Sequence, residues 1–340
     1  MRFKPTLAGS LPKPSWLAET GKLWPKWMLS GPELDQAKRD AALIWIKLQE
    51  DAGVEIVTDG EQFRTHFVHG FLETVEGIDW NLKTRMGIRN NRYVVDVPTV
   101  TGVPRRSRPV HRDEAAFCRS HTGKGLKFTL PGPMTICDTL ADGHFGQRAD
   151  MAMAFAEILN DEAHELQAAG VDTIQFDEPA FNVFTDHVKE WGIAALERAA
   201  RGLTCTTAVH ICYGYGIDAN MKWKETLGAE WRQYEEIFPP LNASSIKQVS
   251  LECAGSHVPI SLISLLPDKD LLIGVIDVAT DTVETPEQVA ATIGESLKYA
   301  DAERIYPCTN CGMAPLSRTV AEAKLVALGA GAALARRRFA

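Results

Sequence analysis

The 340-residue sequence predicts a (β/α)8, or TIM, barrel as a single domain over 1–340, with a β-hairpin inserted in an early βα loop. Three observations carry this expectation. Strand-like and helix-like runs alternate along the whole chain, with no Gly/Ser linker between them. Eight of the runs are strand-like, and most are continuously apolar, as strands buried on both faces must be. Polar residues recur where those runs end, and in a barrel of this kind that face carries the chemistry. A doubly wound open sheet is the competitor, but no Gly-x-Gly-x-x-Gly follows the first strand.

TLAGS (6–10) is the first strand. A helix over 34–53 leads to EIVTDGE (55–61), the second. Residues 74–110 then alternate with period two, which predicts the inserted hairpin. At its exit, RRSRPVHR (105–112) reads as a solvated loop, with contact to an anionic ligand the alternative. LKFTLPGP (126–133) is followed by a helix over 149–170 that stops at Gly170. TIQFDEP (173–179), a helix around 188–201 and CTTAVHIC (205–212) continue the rhythm. A helical stretch near 229–237 precedes QVSLEC (248–253). LLIGVIDV (271–278) precedes a helix over 285–300, where Thr285-x-x-Gln288 has the spacing of a capping box. RIYPCTNC (304–311) and a last helix over 317–337 complete the chain.

Composition narrows the function. Hydrophobic residues at 45% and charged residues at 24% are those of a soluble globular protein. A net charge of -8 argues against a nucleic-acid partner. No apolar run approaches the roughly 20 residues that span a bilayer, and the N-terminus lacks the apolar core of a secretory signal. Seven cysteines, an odd number, do not form a disulfide scaffold and suit a reducing cytoplasm. Cys118, Cys137, Cys205 and Cys253 read as small buried or incidental residues.

His210-x-Cys212, Glu252 and Cys311 form a metal-ligand set delivered singly from the ends of three distant strands. Two thiolates, an imidazole and a carboxylate suit Zn2+. Two residues apart on a strand, His210 and Cys212 point to one face. A core histidine beside a buried cysteine would give the same pair, and Glu252 with Cys311 shift the balance. Cys308 is the rival for the second thiolate, with Cys311 preferred because it lies nearer the following loop. Ser10, Asp59, Glu61, Asp177, Glu178 and Asp277 also sit at strand ends. Any one carboxylate there could be a helix N-cap, but their recurrence points to one shared cavity.

Together with DGEQFR (59–64), LPGPMTI (130–136), QFDEPA (175–180) and GVIDV (274–278), these residues resemble the cobalamin-independent methionine synthase family. The likeness runs from AGSLP (8–12) to NCGMAPLSR (310–318) and is to the C-terminal catalytic barrel alone, the short, core form. It implies a zinc-dependent methyltransferase that methylates the thiolate of L-homocysteine to give L-methionine. By motif position it implies zinc on His210, Cys212, Glu252 and Cys311. It also implies substrate binding by Ser10, Glu61 and Asp177, the two carboxylates being catalytic.

Two departures concern the methyl donor. The family's strand-7 motif Asp-x-His is here Asp277-Val278-Ala279, and its Trp-Ser-Phe-like stretch is Cys137-Asp138-Thr139-Leu140. His66, His69 or Asp281 could stand in for the missing histidine. The donor is therefore left open between a methylfolate, a methyl-corrinoid and another carrier, with delivery by a partner protein one route. Alternatives are a zinc alkyltransferase acting on another small thiol such as coenzyme M, a zinc-binding or thiol-carrying protein without turnover, and a metal-free decarboxylase on a related barrel.

Overall fold

The structure, a computed structural model, describes residues 1–22, 25–215 and 217–339. Its strands are β1 (Ile56–Thr58), β2 (Val75–Ile88), β3 (Tyr93–Arg106), β4 (Gly125–Pro131) and β5 (Ala141–Asp142). They continue with β6 (Thr173–Asp177), β7 (Thr206–His210), β8 (Gln248–Leu251), β9 (Asp270–Ile276) and β10 (Ile305–Thr309). Seven of them form one sheet in the order β1-β4-β6-β7-β8-β9-β10, with every neighbouring pair parallel.

The sheet is curled, because both of its edge strands bond the same N-terminal segment. Thr6 bridges Ile56 of β1 in parallel, while its N–H donates to Pro307 O of β10 at 2.9 Å. The run TLAGS thus lies where the first strand is expected, although its ladder is reduced to a single bridge at Thr6.

Helices cover the outer face of the sheet. Ile174, Phe176, Val249, Leu271 and Ile273 are fully buried there and share one core with Phe155, Leu159, Leu196 and Leu328. Inside the sheet a separate small cluster joins Ala208, Leu272 and Cys308. Polar links replace apolar packing beside it. Lys127 Nζ donates to Gln175 Oε1 at 3.0 Å, and Gln175 Nε2 donates to Ala8 O and to Asp177 Oδ1.

The helices follow the expected rhythm, with two shifts. The stretch expected near 229–237 is helical over Tyr234–Ala243, because Tyr234, Ile237, Phe238 and Leu241 form the buried stripe. The helix expected around 188–201 starts at Thr185, passes through a π turn, Val188–Gly192, and continues over Ile193–Ala200. Thr285 and Gln288 close a reciprocal capping box on Pro286–Ser296.

Between β1 and β4, β2 and β3 pair antiparallel from Val75↔Arg106 to Ile88↔Tyr93. The turn at their far end holds Arg89, Asn90 and Asn91 at φ of 52°, 54° and 61°. One expectation is corrected at the near end. Within 105–112, Arg106 is not solvated: its side chain is 8% exposed and is clamped by Glu162 and Glu165 of the helix Arg148–Ala168. The apolar contacts of the hairpin base would otherwise leave that guanidinium dry and unpaired. No helix is long and apolar enough to cross a membrane among the described residues.

Candidate metal and substrate site

Strand register builds the floor of the site. Pro131 is level with Asp177, Asp177 with His210, and His210 with Ser250, so adjacent strands end in one polar layer. Cys212 lies two residues past β7 and Cys311 two residues past β10. The ligand atoms of His210, Cys212 and Cys311 all lie within 4.8 Å of one another, and all three residues are buried. One ion with bonds of about 2.0–2.3 Å can bridge such a set.

The histidine is prepared for that role. Its Nδ1 meets Ser250 Oγ at 2.8 Å, which leaves Nε2 buried without a hydrogen-bond partner. A ring fixed through one nitrogen and open at the other is the usual arrangement of a metal-bound imidazole. The sulfurs of Cys212 and Cys311 are 3.2 Å apart. The hydrogen bond from Cys311, helped by His210, holds Cys212 well below the ordinary thiol range, while Cys311 is pushed up by the same bond. Cys308 faces the interior cluster below and is not part of the set.

Glu252 does not join the three. Its Oε1 accepts from Lys224 Nζ at 2.8 Å and its Oε2 from the Tyr213 N–H at 3.0 Å, so both oxygens are engaged. Glu252 and Lys224 are each almost fully buried, and the pair stands beside Cys212.

The expected substrate residues line the cavity that reaches the thiols. Ser10, Glu61 and Asp177 all border it, along with His210, Cys212 and Cys311. Ser10 Oγ lies 3.3 Å from Tyr215 Oη, and its carbonyl accepts from the Met313 N–H at 2.7 Å. A Cβ on Gly312 would fall 2.0 Å from Ser10 Oγ, so only glycine lets the Cys311 loop come this close. Glu61 follows Gly60 in the left-handed region, at φ 58°, a conformation costing a non-glycine residue roughly 1–2 kcal/mol. Strain of that kind concentrates at functional sites. Burial pushes the Asp177 carboxyl up to about 7, and burial also raises Glu61.

Of the groups that could replace the strand-7 histidine, His66 borders this cavity, whereas Asp281 is exposed and lies outside it. His69 borders a second cavity beneath the hairpin. Burial lowers His69 to about 4 and His66 well below the ordinary imidazole range, so both are neutral near pH 7.

Four residues of the site carry no sequence signal of their own. Tyr215 and Asn220 come from the loop after β7 and its short helix, and Arg89 and Arg92 from the hairpin turn. Asp138, the residue standing where the sequence departs from the family pattern, pins that turn. It accepts the Arg89 N–H at 3.1 Å and forms a buried ion pair with the Arg89 guanidinium.

Residues 3–333 match the family model for the catalytic domain of cobalamin-independent synthase. The chain belongs to the cobalamin-independent methionine synthase family. It is similar to the methionine synthase of Saccharolobus islandicus, at 31% identity over 335 residues that cover 97% of this chain and 94% of that one. It is also similar to a B12-independent methionine synthase from Shewanella sp. W3-18-1, solved in complex with selenomethionine. There the identity is 54%, the coverage 99% of both chains and the TM-score 0.97. A methyltransferase from Methanosarcina mazei shares the fold at 16% identity and a TM-score of 0.62. The chain is thus a methyltransferase of the methionine synthase type, acting to form methionine. Membership sets aside the decarboxylase reading and the reading without turnover.

Proposed function

We propose that the chain is a one-domain, closed (β/α)8 enzyme of the cytoplasm that transfers a methyl group to the thiolate of L-homocysteine at a zinc ion held by His210, Cys212 and Cys311. The observation that carries this reading is the convergence of those three buried donors, with His210 Nε2 left without a partner, on the cavity that Glu61 and Asp177 also border. The N-terminal segment bonding both edge strands supports closure by an eighth strand. The selenomethionine bound to the Shewanella relative is an analogue of the expected product.

Zinc, when bound, supplies a Lewis acid that keeps a thiol deprotonated near neutral pH. The remaining work falls to the chain. Glu61 and Asp177 receive the ammonium group, and Ser10 receives the carboxylate, which aims the sulfur at the Cys212–Cys311 side. Two acidic groups favour an amino-acid thiol over the sulfonate thiol coenzyme M. Glu252, held by Lys224 and the Tyr213 N–H beside Cys212, would become a fourth protein ligand only on leaving those partners. The sulfur lone pair forms the new bond to the methyl carbon while the carrier's bond breaks, and the electron pair leaves with the carrier. Positioning supplies much of the rate of such a displacement.

A folate carrier would need a proton on its leaving nitrogen, whereas a corrinoid would keep the electron pair on its metal. His66 and His69, both neutral, are poor acids for the first case. That favours a carrier whose leaving group needs no proton, reached directly or through a partner protein. Rescue of a bacterial auxotroph lacking methionine synthase tests the assignment. Growth with the wild-type chain, and none with Cys311→Ser or Asp177→Ala, is expected. Full rescue by both variants would refute it.

A further inference from the structure

The polar inventory of the cavity leaves one cation unassigned. Arg89 is neutralised by Asp138, whereas Arg92 has no carboxylate within 4 Å among the described residues. Its guanidinium lies 3.4 Å from the centre of the Trp223 ring, and Nη1 donates to Asn220 Oδ1 at 3.1 Å. Neither contact supplies a formal negative charge, the Cys212 and Asp138 anions act on the guanidinium only from a distance, and Nε is buried with no acceptor. The aromatic support is itself held, since Trp223 stacks on Tyr213 at 5.8 Å. The turn that presents Arg92 is held in a left-handed run by the Asp138 contacts. A planar guanidinium preset on an aromatic face suits an anionic oxygen group such as a carboxylate or phosphate.

We propose that Arg92 binds an anionic oxygen group, carboxylate or phosphate, of the molecule that brings the methyl group, and so selects the donor. The inference rests on the acceptor reading above, in which Ser10, Glu61 and Asp177 already satisfy the amino-acid end. Arg92 enters from the hairpin, on the Cys212, Asn220 and Trp223 side of the cavity. The glutamate of a methylfolate and the phosphodiester of a methyl-corrinoid present the same chemistry to it.

The test uses the full zinc-loaded chain as wild type, Arg92→Met, Arg92→Lys and Asn220→Asp. The last variant keeps the arginine and gives it an internal carboxylate that competes with the donor. Calorimetric titration of L-methionine and chelator competition for zinc should stay within about twofold of wild type in both Arg92 variants, as expected for a group that serves neither. Growth of the auxotroph should fail with Arg92→Met and Asn220→Asp and be partly restored with Arg92→Lys. Turnover is assayed with methyltetrahydrofolate and with methylcobalamin. Whichever the wild type accepts should show a KM raised at least about tenfold in Arg92→Met, the usual loss for a charge-assisted hydrogen bond. Wild-type growth with Arg92→Met overturns the inference. So does a tenfold loss of methionine or zinc affinity, which would make Arg92 part of the acceptor or metal site. Failure of the wild-type chain to rescue growth would instead remove the methionine synthase reading itself.

Discussion

The two sides of the cavity are built by different means. The side proposed to hold the acceptor stands on adjacent strand ends, where backbone register alone levels Asp177, His210 and Ser250. The hairpin side is delivered from an excursion some thirty residues long, whose tip is pinned by the buried carboxylate of Asp138 and by the Arg92 contacts with Asn220 and Trp223. A site on strand ends inherits the rigidity of the sheet. A site on a hairpin tip depends on a few side-chain contacts, here Arg89 with Asp138 and Arg92 with Asn220 and Trp223.

Replacing Cys311 by Ser should empty the metal centre, with bound zinc falling from about one per chain to a small fraction and activity dropping at least about a hundredfold. Metal analysis after gel filtration reads this directly. Next in size, Asp138→Ala should cost about 3 kcal/mol of stability, because it strands Arg89 as a buried unpaired charge. Denaturant melts should report that loss while zinc content stays at wild type, if the two sides are independent. Asp177→Ala should weaken L-methionine by roughly 10- to 100-fold, the range for a hydrogen-bonded charge, without lowering zinc content. A fall in both would mean that acceptor and metal sites are not separable. Thr285→Ala, remote from both sides, should cost only about 1 kcal/mol through its helix cap and leave both ligands unaffected.

Strand-end chemistry was legible because a parallel sheet converts sequence position into spatial level. His210, Cys212 and Cys311 could be grouped although 99 residues separate the two thiols, since each follows an apolar run that had to be a strand. Cys308 could be ranked second for the same reason: three residues earlier, it points into the sheet's interior. Glu252 was placed correctly at a strand end, but its engagement with Lys224 could not be read. That pair joins a strand end to a short helix 28 residues earlier, across the helix Tyr234–Ala243, and no sequence period links the two. Arg92 was hidden for a related reason. Alternation of period two predicts a hairpin but says nothing of where its turn lands, and the left-handed run at 89–91 that aims it contains no glycine to signal it.

The most direct test of the central claim is X-ray absorption at the zinc edge of the purified chain, with and without L-homocysteine. A zinc ion with two sulfur ligands and nitrogen or oxygen donors is expected, rising to three sulfurs when homocysteine binds. A chain that holds no zinc, or a sulfur count that homocysteine leaves unchanged, would contradict it.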